Sequence, residues 1–118
     1  MIDINYQGIY DIIADTLPDD WERIVLLCLS WSESSEIKYY VKNSEGTIRD
    51  CYELGIPDDV LLSKTINLIS LINESEHSWK ALTMIIDADG SFDAKADYAG
   101  NIDDTSNYLK TWSEQYLK

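Results

Sequence analysis

The run Glu22-Arg23-Ile24-Val25-Leu26-Leu27-Cys28-Leu29-Ser30-Trp31 constrains this chain more than any other feature. From Ile24 to Leu29 it is purely apolar. Successive side chains of a strand point to opposite faces, so a β-rich run without polar alternation fits a central strand covered on both faces, or one twisted across the core. It is far short of the roughly 20 residues that a membrane-spanning helix needs.

The flanking segments supply partners for such a strand. Ile4 to Leu17 places Tyr6, Ile9, Tyr10, Ile13 and Leu17 on one helical face, with Asp11 and Asp15 outside it. Pro18 stops that helix by pushing the preceding residue out of the α region. After a polar turn at Ser32 to Glu36, Ile37, Tyr39 and Val41 share one face of a second strand. Asn43-Ser44-Glu45-Gly46 signals a turn, and Thr47 to Tyr52 returns as a third strand. Ile56-Pro57-Asp58-Asp59 opens a second helix, since proline in the first turn and acids at the positive end of the dipole both favour a start. Its stripe of Leu61, Leu62, Ile66, Leu68, Ile69 and Ile72 predicts heavy burial. Trp79 to Ile86 is a fourth strand, and Asp89-Gly90 reads as a tight hairpin turn. Beyond it Phe92, Ala94, Ala96 and Tyr98 alternate with Asp93, Lys95 and Asp97, predicting one buried face and one wet, charged face. Asp104 or Thr105 can cap a last helix with Tyr108, Leu109, Trp112 and Tyr116 on one side.

These segments define an α+β chain in the order α-β-β-β-α-β-β-α. The expectation is a single domain over residues 1–118: an antiparallel sheet of about five strands, with helices covering one face. No repeat, low-complexity tract or linker interrupts it. Strand order within the sheet and oligomeric state stay open.

Charge narrows the partners. Nine Lys and Arg stand against 22 Asp and Glu, a net charge of −13. Phosphate neutralisation supplies most nucleic-acid affinity, so such a surface excludes direct binding to nucleic acid and to anionic membranes. A partner with a basic face would be steered toward it, at a rate that falls with salt. Acidity that serves only solubility is the competing reading. The start, Met1-Ile2-Asp3-Ile4-Asn5, lacks the basic region of an export signal, so a cytoplasmic location and reduced thiols at Cys28 and Cys51 are expected.

Catalytic and cofactor signatures are absent from the sequence. Its one histidine, His77, sits in the polar stretch Glu74-Ser75-Glu76-His77-Ser78 and reads as a solvated helix end. No Cys/His cluster has zinc spacing, and the five glycines are scattered. Asp87-Ala88-Asp89-Gly90-Ser91-Phe92-Asp93 imitates part of a calcium loop, but Ile85 and Ala96 occupy the positions of its first and last carboxylate ligands. The expectation is therefore no catalytic residue, no cofactor and no metal. Tyr39, Trp79, Phe92 and Tyr98 are expected to pack the core or a sheet face. The acids do have a pattern. Asp87, Asp89, Asp93, Asp97, Asp103 and Asp104 face Lys95 alone between Met84 and Asn107, and Asp19, Asp20 and Glu22 form a second group. They are either a solvated sheet edge kept from aggregating by charge or an anionic docking face.

Two stretches resemble a known family. Ile9-Tyr10-Asp11-Ile12-Ile13-Ala14-Asp15 with Leu17-Pro18-Asp19-Asp20-Trp21 is similar to the opening helix and Pro-x-x-Trp start of the YezG-like immunity (antitoxin) proteins of bacteria. Trp79-Lys80-Ala81-Leu82-Thr83-Met84-Ile85-Ile86-Asp87, followed by Gly90-Ser91-Phe92 and Asp97-Tyr98, resembles their distal hairpin. The likeness runs from about Ile4 to Tyr98; the final helix departs most, since many relatives carry a longer acidic connection there. The resemblance implies an inhibitor that binds and neutralises a cognate secreted toxin, often a nuclease, and implies no enzyme activity. A nuclease must carry cationic groups to hold phosphates, which this acidity would complement. The combined expectation is an immunity protein that blocks a basic toxin at its active site or an adjacent surface. Asp87, Asp89, Asp93 and Asp97 would form the charged face, continued by Asp103 and Asp104. Tyr108 or Trp112 would be an aromatic anchor if the last helix leaves a side exposed, core packing being the competing role for Trp112. The alternatives are an acidic regulatory or scaffold module with no toxin partner, and a hydrolase or metal-dependent enzyme hidden from motif reading.

Overall fold

In a computed structural model describing residues 4–31, 34–74 and 78–117, the apolar run becomes β1 (Trp21–Ser30), the middle strand of five. His77, Ser75, and the Ser32 and Glu33 of the expected turn lie outside the described residues. Before β1 come α1 (Tyr6–Ile13) and a 3-10 turn at Ala14–Thr16. After it come β2 (Ser35–Asn43), β3 (Ile48–Asp50), a 3-10 turn at Cys51–Glu53, α2 (Asp58–Asn73), β4 (Ala81–Asp87), β5 (Phe92–Asp97) and α3 (Thr105–Tyr116). The sheet is antiparallel throughout, in the order β3-β2-β1-β4-β5. The first three strands meander to one side; α2 then carries the chain back to place β4 on the other flank of β1.

Alternation along β1 splits the interior into two cores. Ile24, Leu26 and Cys28 face α1 and α2 and pack with Tyr39, Leu82, Met84, Ile9, Ile13, Leu68 and Ile72. Val25, Leu27 and Leu29 face the other way, against Ala81, Ile102 and Trp112, with Tyr108, Leu109 and Tyr116 at the margin. Each such aliphatic side chain contributes about 1.5–3 kcal/mol when fully buried, so a run buried at every position is affordable only between two covers. Helices therefore cover both faces, not one as the segment order suggested: α1 and α2 on one, α3 on the other. The final helix is needed because the odd positions of β1 are as apolar as the even ones.

Local chemistry sets how the helices sit. Asn5 caps α1 by accepting from the Gly8 amide at 2.9 Å. A Cβ on Gly8 would come within 2.9 Å of Leu71 Cδ2 and 2.7 Å of Asn5 Nδ2, so glycine permits the close approach of α1 to α2. Lys64 of α2 reaches back to donate to the Ile12 carbonyl and to Asp15 Oδ1, both at 2.8 Å, satisfying the end of α1. α3 follows Asp104, whose side chain makes no capping bond, while Thr105 Oγ1 donates to the Ile102 carbonyl.

Three expectations need correction. The stripe on α2 is only partly buried: Leu61, Leu68 and Ile72 are inside, but Leu62 and Ile66 are 61% and 58% exposed. The helix touches the rest of the molecule along a line narrower than its apolar surface. The two faces of β5 are also less distinct than their alternation suggests. As an edge strand it overhangs the helices, so Ala94 and Ala96 reach the core while Phe92 and Tyr98 remain 56% and 57% exposed. The opposite face is not simply wet, because α3 packs there and half-buries Asp97. Lastly, β4 and β5 are joined by four residues. Asp87 N–H donates to the Ser91 carbonyl and Gly90 N–H to the Asp87 carbonyl. Gly90 alone in this turn takes a positive φ, so the connection is wider than a two-residue Asp-Gly turn, which would require it at Asp89 as well.

Candidate functional site

The pairing of β1 with β4 brings together acids that stand far apart in the chain. Arg23 lies opposite Asp87, and Ala88 N–H donates to the Glu22 carbonyl at 2.9 Å. The β4–β5 turn with Asp87 and Asp89 thus lies beside Glu22, and Asp19 and Asp20 immediately precede that strand. Asp87, Asp89 and Asp93 of the first acidic group meet the second group, Asp19, Asp20 and Glu22, at one end of the sheet. Asp19, Asp20, Glu22, Asp89 and Asp93 are exposed there. Arg23 and Lys42 are the cations in the shallow groove that Glu22, Asp87 and Asp89 also line.

Some of these carboxylates hold the structure together. Asp87 takes Arg23 as a two-pronged pair, Nε to Oδ1 at 2.6 Å and Nη2 to Oδ2 at 3.1 Å. The partner carboxylate raises the Arg23 pKa. Asp89 accepts from the Ser91 hydroxyl at 2.6 Å and the Ser91 amide at 2.9 Å, and these bonds hold its carboxyl below the usual range. Asp93 accepts only from the adjacent Ala94 amide among the described residues and otherwise faces water.

The rest of the predicted charged face lies elsewhere. Register places Phe92 opposite Ile86 and Asp97 opposite Ala81, separated by about 17 Å of extended strand. Asp97 therefore sits at the far end of the sheet, where it accepts from the Tyr108 hydroxyl at 2.8 Å and from the amides of Ala99 and Gly100. The Tyr108 hydroxyl, then those amides, lower the Asp97 pKa; burial and the facing carboxylate raise that of Tyr108. Asp103 and Asp104 are exposed and belong to this far end. Trp112 is 4% exposed, and its Nε1 donates to Thr83 Oγ1 at 2.9 Å, so its indole packs the second core. The half-buried Tyr108 is held by Asp97.

The acidic end holds aromatic residues that the charge pattern did not reveal. A cleft of about 530 Å³ opens between the start of α1 and the β4–β5 hairpin. Tyr6, Tyr10, Trp21, Phe92 and Asp87 are among its walls. Tyr6 stacks on Phe92 with ring centroids 4.0 Å apart, and Tyr10 tilts against Trp21 at 6.0 Å. Tyr6 and Tyr10, read from the sequence as helix core, are half-buried against the first core, whereas Phe92, read as strand core, is exposed; only an edge position for β5 could have signalled that exposure.

Among the described residues no three His, Cys, Asp or Glu side chains gather as a metal site requires, and no buried side-chain polar atom lacks a hydrogen-bond partner. Also among them, no helix is long and apolar enough to cross a membrane. The family model described as "Immunity protein YezG-like" matches residues 2–118, which takes in the divergent last helix as well as the hairpin. The chain belongs to the YezG-like immunity protein family. A comparison with curated proteins gave no match. Membership in the YezG-like family implies a toxin as the partner, and supports a role in neutralising it. In this member, the end of the sheet with exposed acids around an aromatic cleft is the candidate contact surface.

Proposed function

We propose that this YezG-like protein neutralises a basic toxin, a nuclease by the argument of charge, by occupying its cationic surface with the acidic end of the sheet. The reading is carried by the convergence of Asp19, Asp20, Glu22, Asp89 and Asp93, all exposed, on that end of a chain with net charge −13. Nuclease sites hold phosphate with Lys and Arg, so an anionic surface of this kind competes with the substrate for the same groups. Inhibition needs occupancy and no turnover, which suits a protein that acts as a binder and not as an enzyme. Asp87 belongs to the same surface, tied to Arg23, and supports the hairpin that presents Asp89. Asp103 and Asp104 would make a second, outlying contact, with Asp97, Tyr108 and Trp112 fixing the base from which they project. The protein would work in the cytoplasm of the toxin-producing cell.

Affinity capture from the native strain, followed by a nuclease assay on the captured protein, tests this directly. The expected result is a basic partner whose nuclease activity disappears on adding the pure chain, and cells that survive the toxin only when they co-express it. Capture of an acidic partner, or a partner whose activity persists in the stoichiometric complex, would contradict it.

A further inference from the structure

The aromatic cleft has the composition to receive a cation. Phe92 exposes more than half its surface at the cleft, although hydrophobic burial would favour covering it. The Tyr6–Phe92 stack and the Tyr10–Trp21 pair both line the cleft, so two ring systems wall one opening. Aromatic faces carry negative quadrupole charge and attract cations, and a guanidinium adds planar stacking to that attraction. Anions reinforce the preference from the rim. Asp87 lines the cleft with its carboxylate already paired to Arg23, so the free anionic charge comes from the exposed Asp89 on the adjoining turn and the exposed Asp93 next to Phe92, whose charge helps raise the Tyr6 pKa after burial. A volume of about 530 Å³ exceeds one side chain and suits a short protruding segment.

We infer that this cleft is the specificity pocket of the docking surface, and that it captures an arginine side chain borne on a protruding loop of the partner protein. The inference rests on the toxin-binding reading for the partner's identity, but the chemistry of the pocket stands on its own walls. The guanidinium lies against the rings of Tyr6–Phe92 and Tyr10–Trp21, and the exposed carboxylates of Asp89 and Asp93 nearby offset its charge. Long-range charge brings the partner to this end of the sheet, and the cleft fixes its register.

The test uses the full chain, labelled with nitrogen-15, titrated with the blocked peptide acetyl-Gly-Arg-Gly-amide and with its neutral citrulline isostere. Expected are saturable shifts with the arginine peptide at the Trp21 indole and at Ala88, Gly90 and Phe92, and much smaller shifts with citrulline. Phe92→Ala should weaken arginine binding about two- to fivefold, the range of an exposed cation–π contact, and Phe92→Tyr should restore it. Equal response to citrulline, shifts confined to other surfaces, or Phe92→Ala binding as well as the parent would overturn the inference. A parallel measurement on the captured toxin separates the two readings. If toxin affinity is the same for Phe92→Ala and the parent, the pocket is wrong while the immunity role stands. If the peptide binds in the cleft but no toxin is ever captured, the pocket stands and the immunity role fails.

Discussion

Asp97 and Tyr108 show how a single carboxylate can serve structure in a chain so rich in acids. Asp97 accepts three hydrogen bonds that close the turn after β5 and hold α3 against it, and a Cβ at Gly100 would collide with its carboxylate. Because its pKa is lowered in the fold, chiefly by the Tyr108 hydroxyl, its contribution is fully present above its ordinary value of 3.8 and is lost as pH falls through the lowered value. Tyr108→Phe should therefore cost about 1–2 kcal/mol at neutral pH and flatten the acid limb of stability against pH, as read by urea unfolding. An acid limb as steep as that of the parent would contradict this. Cys28 makes a second prediction at this scale. Burial pushes its thiol up to about 12, and raises that of Cys51 as well. Both should resist iodoacetamide at pH 8 in the folded protein and react in urea, as mass spectrometry would show. Rapid labelling of the native chain would place them outside the core.

Among the elements, α3 best exposes the limits of sequence reading. Its aromatic side was visible, and so was a central strand apolar at every position; together these required a cover on each face of the sheet. Local connectivity nonetheless favoured helices on one side, because a helix that follows an edge hairpin can return to either face. Strand spacing likewise revealed the β4–β5 hairpin, but alternation cannot say whether a strand is central or at an edge. That gap explains the misplaced burial of Phe92 and Tyr98, and it hid the aromatic cleft. The acids could be counted but not assembled, since the meeting of Glu22 with the Asp87–Ser91 turn depends on a pairing across most of the chain. Trp112 fastens α3 through its bond to Thr83, buried at 6% exposure. Thr83→Val should leave the indole N–H unpaired and cost about 1–3 kcal/mol. Trp112→Ala should cost about 3–5 kcal/mol and uncover Val25, Leu27 and Leu29, giving dye binding that the parent lacks. Both costs belong to the second core. A loss of stability below about 0.5 kcal/mol for Trp112→Ala would mean that α3 does not cover that face.

At the scale of the whole molecule, the two cores secure a rigid sheet and leave its acidic end free for contact. Net charge is spread over the surface, but Asp19 and Glu22 combine exposure with side chains that make no hydrogen bond or ion pair among the described residues. Reversing them should alter encounter with the partner and spare the fold. The most direct measurement of the central claim is the association rate of the chain with its cognate toxin across a series of salt concentrations, for the parent and for Asp19→Lys/Glu22→Lys. The parental rate should fall steeply with salt, and the variant should bind about tenfold or more slowly at low salt with a flatter dependence. A parental rate indifferent to salt, or a variant that matches the parent at every concentration, would contradict it.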